Sequence, residues 1–259
     1  MLDFNILLPI AGFGVGLIVG MTGIGGGSLM TPTLIFLLRV PPVIAVGTDL
    51  IFAGITKSVG VWAHRSEGNI DWMTVRLLAS GSLPATLVAI LTLDRLPSLE
   101  FLDRIVLPVL GVALLATAAV VVFRSRVSRF AEAVVERSGE ISGIWIVLSG
   151  VVLGILVTLS SVGAGALGVA VLMLCRPHMS ARRMVGTDLA HALPLALLAG
   201  AGHLHLGTVD AGLLAALLMG SLPGIYVGSS LTGRVPEPVL RGLLAAALIT
   251  AGITCFLKV

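Results

Sequence analysis

The chain has 259 residues, 57% of them hydrophobic and 11% charged, with a formal net charge of +3. A soluble domain carries about 25% charged residues, and the mean hydropathy here is +1.10, so a water-soluble globular protein is excluded. The basic balance (pI near 9.4) comes from arginines in short clusters between apolar runs, not from a nucleic-acid-binding surface.

Backbone groups in lipid must be satisfied within the segment or by barrel closure. The short alternating segments of a barrel are absent from the sequence, so the reading is all-α and polytopic. Asp3 precedes the first apolar run with no basic cluster, which argues against a cleaved signal peptide and leaves that run as a membrane helix. Apolar elements are predicted near 5–21, 28–38, 43–63, 71–92 and 102–123, forming a first membrane repeat over 1–123. The second element is too short to cross a bilayer at 1.5 Å per residue. Ahead of it, Thr22-Gly23-Ile24-Gly25-Gly26-Gly27-Ser28 must break the helix. It reads either as a tight turn or as a re-entrant or broken-helix element facing a polar cavity.

Residues 124–142 form a polar linker of mixed arginines and glutamates. Phe130, Val134 and Val135 fall close to helical spacing, so part of it suits an interfacial helix. A second repeat over 143–259 follows, with elements near 144–159, 164–175, 184–202, 209–232 and 238–257. Its glycine cluster is weaker: Ser160-Ser161-Val162-Gly163-Ala164-Gly165-Ala166.

The halves are related. Val46-Gly47-Thr48-Asp49-Leu50 recurs as Val185-Gly186-Thr187-Asp188-Leu189, 139 positions later. The same offset carries His64 onto His203, Asp71 onto Asp210, and Gly81-Ser82-Leu83-Pro84 onto Gly220-Ser221-Leu222-Pro223. An odd number of passes per half inverts the second half. Loop 57–71 with Arg76, linker 124–142, loop 176–183 and loop 234–241 then share one side and hold 12 of the 16 basic residues. An even number would divide them 8 to 8. The positive-inside bias therefore favours inversion, a cytoplasmic linker and termini outside.

Each half carries one carboxylate inside an apolar run, Asp49 and Asp188. Neither is read as having a basic neighbour in its apolar run before His64 or His191, with Lys57 counted in loop 57–71. Intramembrane carboxylates cost about 2.5–3.5 kcal/mol on insertion scales and commonly mark ion or proton paths. They suit either a proton- or cation-coupling group or a polar clamp on a broken-helix N-terminus of the other half. His191 follows Asp188 at i+3 on the same face, as a proton-sharing partner or an orienting one; its first-half counterpart is Phe52.

His64, His203 and His205 are expected as wet interfacial histidines, since no carboxylate completes a zinc site. Asp71 and Asp210 read as helix caps, and Pro84 and Pro223 as kinks. Cys175 and Cys255 read as packing residues. No nucleophile has a base at workable spacing, and the glycine cluster lacks the Lys-Ser/Thr end of a phosphate loop, so neither an enzyme nor an ATP-driven pump is expected. No cofactor or metal is expected.

Taken together, Gly23-Ile24-Gly25-Gly26-Gly27-Ser28 with Pro32, Pro41-Pro42, Ala45-Val46-Gly47-Thr48 and Ala63-His64 with Gly68-Asn69-Ile70-Asp71-Trp72 resemble the TauE/SafE sulfite-exporter family of membrane permeases. Val185-Gly186-Thr187, His203 and Gly207-Thr208-Val209-Asp210 extend the likeness into the second half. The resemblance implies export or uptake of small anions such as sulfite and organosulfonates across a bacterial inner membrane. Two departures stand out. Asp follows Gly-Thr in both halves where the family usually has a small polar residue, and the second half lacks the full glycine run with its proline. A carboxylate in each half repels an anion unless protonated or neutralised.

The expected site lies between the halves. Gly25, Gly26, Gly27, Ser28, Gly163 and Gly165 supply helix-terminal donors; Thr48 and Thr187 donate to the solute; Asp49, Asp188 and His191 couple proton or ion movement. The expected partners are a small-molecule anion and the lipid bilayer, with homo-oligomerisation open. A cation or metal-ion carrier using the same carboxylates, and a non-transporting assembly partner, are the alternatives.

Overall fold

A computed structural model describes residues 6–22, 27–138, 141–231 and 236–257. These are helical throughout apart from short turns. The helices are α1 (Leu7–Thr22), α2 (Gly27–Pro32, continuing as a π-helical turn over Thr33–Leu37), α3 (Pro42–Ser66), α4 (Trp72–Leu93) and α5 (Leu99–Ser138). The second half holds α6 (Gly143–Ser160), α7 (Ala166–Cys175), α8 (Ala181–His205), α9 (Ala211–Ser230) and α10 (Glu237–Leu257). Among the described residues, seven helices are long and apolar enough to cross a membrane. Large apolar side chains such as Trp62, Trp145, Tyr226 and Leu257 point outward, the arrangement of a chain whose solvent is lipid.

Local chemistry sets the boundaries. Pro42 opens α3 at a first-turn position that needs no N–H donor. Asp71 Oδ1 accepts the Met73 and Thr74 amides at 3.2 and 3.4 Å, and Asp210 Oδ1 accepts that of Leu213 at 2.9 Å, so both aspartates cap helices as expected. α3 and α8 end in the same closure: Asn69 N–H donates to His64 O and Thr208 N–H to His203 O, both at 3.0 Å. Gly68 and Gly207 sit between them at φ +70°, which glycine adopts without strain.

Two expected boundaries differ. The element expected over 43–63 overlaps the loop counted as 57–71; α3 runs to Ser66, so Lys57 belongs to the helix and lies in the bundle. Residues 124–138 of the linker continue α5 beyond a non-helical Phe123 (φ −98°, ψ 16°). Ala131 and Val135 on that extension are buried while Phe130 is exposed.

The halves interlock by exchange. α1 packs along α9 and α6 along α4, while α3 pairs with α8 and α5 with α10. The α3–α8 pair is antiparallel, since Gly47 meets Thr208 and His203, Gly54 meets Leu197, Gly60 meets Leu189 and Gly186 meets Asn69 and His64. Close helix approach comes from small residues: a Cβ on Gly12 or Gly16 would strike the α9 backbone, and one on Gly150 or Gly154 the α4 backbone. The linker extension of α5 and the α7–α8 loop meet beside the start of α4. A cavity of about 430 Å³ is lined by Asp71, Val135, Arg176, His178 and Arg183, among others, and Arg176 Nη1 donates to Ile141 O at 3.3 Å.

Candidate functional site

The second glycine cluster is an unwound segment between α6 and α7. Ser161 takes left-handed backbone (φ 56°), Gly163 lies at φ 120° and Gly165 at φ 147°. The helix cannot pass such a run, and the Ala164 carbonyl is turned toward the α3–α8 seam. Of the first cluster, Gly25 and Gly26 lie outside the described residues. Gly27 opens α2, and Ser28 is buried behind it.

Asp49 on α3 is fully buried. Thr31 Oγ1, from α2 of the same half, donates to its Oδ2 at 2.5 Å. Asp49 Oδ1 has no hydrogen-bond partner among the described residues, and the buried Ser161 hydroxyl lies close to the carboxylate. Asp188 on α8 is 3% exposed and lies against Gly168 of α7, where no side chain would fit beside its Oδ1. That oxygen is also without a partner. The difference from Asp49 follows from one residue: the position matching Thr31 is Ala170, which has no hydroxyl to give. Each carboxylate thus sits against the short helix of its own half.

Sequence reasoning missed the third charge. Lys57, 6% exposed, donates from Nζ to Ala164 O at 2.9 Å. It lies within electrostatic reach of both Asp49 and Asp188 and near His191. Among the described residues it makes no direct ion pair. The α3–α8 contacts run from Gly54–Leu197 to Gly60–Leu189, so Lys57 stands near the middle of the crossing. Asp49 is eight residues away along α3, about two turns, and Asp188 lies toward the opposite end. The signal lay in the expected element itself: its apolar run Val59-Gly60-Val61-Trp62-Ala63 carries the helix past Lys57, which was counted with the loop instead. Burying an unpaired ion costs several kcal/mol. A lysine between two carboxylates offsets that cost on both sides.

Other candidates are placed differently from expectation. The imidazole of His191 pairs with Ser82 Oγ of α4 at 2.9 Å, and among the described residues it makes no hydrogen bond to Asp188. In the other half the matching residues are Ser221 and Phe52, and the Ser221 hydroxyl is buried without a partner. Thr48 Oγ1 accepts the Asp210 N–H at 3.0 Å, and Thr187 Oγ1 accepts the Asp71 N–H at 2.9 Å. Both hydroxyls therefore join the halves at the caps of α9 and α4. His203 is not wet. It is fully buried, with Nδ1 2.8 Å from Thr208 Oγ1 and Nε2 3.0 Å from Thr158 O. Cys175 and Cys255 are buried free thiols. No group of three metal-ligating side chains occurs among the described residues.

The α3–α8 seam thus brings together two buried carboxylates, one buried ammonium, the Ser161 hydroxyl and an unwound backbone segment.

Comparison with known proteins agrees with a membrane carrier. A family model described as sulfite exporter TauE/SafE matches residues 8–255. The chain is 36% identical to the probable membrane transporter protein YjnA of Bacillus subtilis, over 96% of this chain and 98% of that protein. It is 27% identical to the probable membrane transporter protein YdhB of the same organism, over 95% and 98%. A probable membrane transporter protein of Haemophilus influenzae is 33% identical over 37% of this chain and 39% of its own length. No solved structure matches.

Proposed function

Since this chain belongs to the sulfite exporter TauE/SafE family, a family of membrane transporters and not of enzymes, we propose that it is a secondary carrier of small anions such as sulfite or organosulfonates, coupled to protons through Asp49 and Asp188. The observation that carries this reading is the pair of buried carboxylates on either side of the α3–α8 crossing, each with an oxygen left without a partner. Carboxylates so placed are accommodated when protonated or when a cation neighbours them. The unwound segment at Ser161–Gly165 supplies irregular backbone at the seam, the design by which secondary carriers build a central site. His191, held by Ser82, is the neighbouring titratable group.

Antiparallel pairing of the equivalent helices α3 and α8 supports an inverted repeat. The gathering of Arg176, Arg183 and the linker residue Val135 around one cavity supports a shared basic face. In this reading that face is cytoplasmic, the termini are outside, and the membrane is the bacterial inner membrane.

The orphaned carboxylate oxygens also favour a second reading, a cation carrier. Lys57 weighs against it, because a fixed ammonium already occupies the position a cation would take.

Purified carrier in liposomes, given a sulfite gradient at a series of pH values, tests the reading. Wild type is expected to show flux that depends on pH, and Asp49→Asn and Asp188→Asn, facing Lys57 and His191, are expected to flatten that dependence. Unchanged pH dependence in both variants removes the coupling role. Chelator-sensitive flux without anion dependence would replace the anion reading with the cation one.

A further inference from the structure

The charge arithmetic of the seam assigns a separate task to Lys57. Asp49, Asp188 and Lys57 sum to −1 when all are ionised, to 0 with one proton bound and to +1 with two. A site at −1 repels an anion, whereas a site at +1 matches a singly charged one. Lys57 is the only group of the three that supplies positive charge. Its ammonium has three donors, of which one is spent on Ala164 O. The Ser161 hydroxyl, in the same unwound segment, is buried beside Asp49. The matching position on α8 is Ala196, so the positive charge is not duplicated across the repeat.

We propose that Lys57 is the anion-holding residue of the carrier: the substrate oxyanion takes the free N–H donors of Lys57 and the Ser161 hydroxyl beside the second helix break, while Asp49 and Asp188 carry the protons that make room for its charge. This rests on the anion-carrier reading and adds the group that selects for negative charge. Both carboxylates lie within electrostatic reach of Lys57. Paired with Lys57, they allow the seam to alternate between rejecting and accepting an anion.

The test compares sodium sulfite with sodium chloride at equal ionic strength, by thermal shift of purified carrier and by liposome uptake. Lys57→Arg keeps the charge and is expected to retain saturable sulfite uptake. Lys57→Met is expected to raise KM by about ten- to a hundred-fold, the weight of a charge-assisted hydrogen bond. Removing the lysine alone leaves two uncompensated carboxylates and threatens folding. Asp188→Asn and Lys57→Met/Asp188→Asn, in which Asp49 is the one carboxylate left and keeps its hydrogen bond from Thr31, therefore provide the second comparison. Asp188→Asn is expected to keep the sulfite-dependent shift, and the double variant to lose it while remaining folded. Equal sulfite response in those two would overturn the assignment of Lys57 and leave the anion-carrier reading standing. A wild-type protein unmoved by sulfite, sulfate and a two-carbon sulfonate would overturn that reading and this inference together.

Discussion

The Thr48 hydroxyl accepts the backbone N–H of Asp210 at 3.0 Å, across 162 positions of chain. Its counterpart Thr187 does the same for Asp71 at 2.9 Å. Each half thus fastens the first turn of a long helix in the other. Removing a hydroxyl strands a donor of a helix N-terminus in a partly buried place.

Thr48→Val and Thr187→Val are therefore each expected to destabilise the carrier by about 1–3 kcal/mol, to a similar degree. Thr48→Ser, which keeps the acceptor, is expected to cost less. Thermal unfolding in detergent measures all three. If the two valine variants match wild type, the hydroxyls are not holding the halves together.

The glycine seams make a sharper packing prediction. A Cβ on Gly154 would lie 2.9 Å from the Ser82 Cα, and backbone on a facing helix cannot yield as a side-chain tip can. Gly154→Leu is expected to cost at least about 1–3 kcal/mol and to part α6 from α4. Gly14→Ala, with nothing within 4 Å of the added carbon, is the neutral control. The same melting assay reads both.

Sidedness tests the inverted reading. Glu67, at the end of α3, and His205, at the end of α8, are both exposed and belong to equivalent turns, while the native cysteines are buried. With a membrane-impermeant maleimide, Glu67→Cys is expected to label from the cytoplasmic side and His205→Cys from the opposite side. Labelling of both from one side would make the repeat parallel.

Much of this architecture is legible in the residues. The repeat announces itself because Val-Gly-Thr-Asp-Leu is an improbable string to meet twice in apolar surroundings, and Asp71 and Asp210 declare helix starts by local capping chemistry. The break at Ser161–Gly165 was less legible, because the second glycine cluster is the weaker one; only the structure places Gly163 and Gly165 at φ 120° and 147°. So were the roles of single polar side chains. Thr48 and Thr187 are adjacent to the carboxylates in sequence, yet a helix turns successive side chains by about 100°, which sends the threonines to the partner half's caps. His191 shares a face with Asp188 on α8, but Ser82 of α4 reaches its ring. His203 resembles an interfacial histidine until α6 supplies the Thr158 carbonyl.

What the sequence alone determined was the class of protein, its run of apolar helical elements and a carboxylate inside one of them in each half, because hydropathy, glycine breaks and caps act over a few residues. Tertiary structure decided what those carboxylates face. Lys57 can stay in the bundle because Asp188, 131 positions away, and the Ala164 carbonyl come to meet it. Compensation of a buried charge is a property of the assembled helices, and no local stretch of the chain contains it.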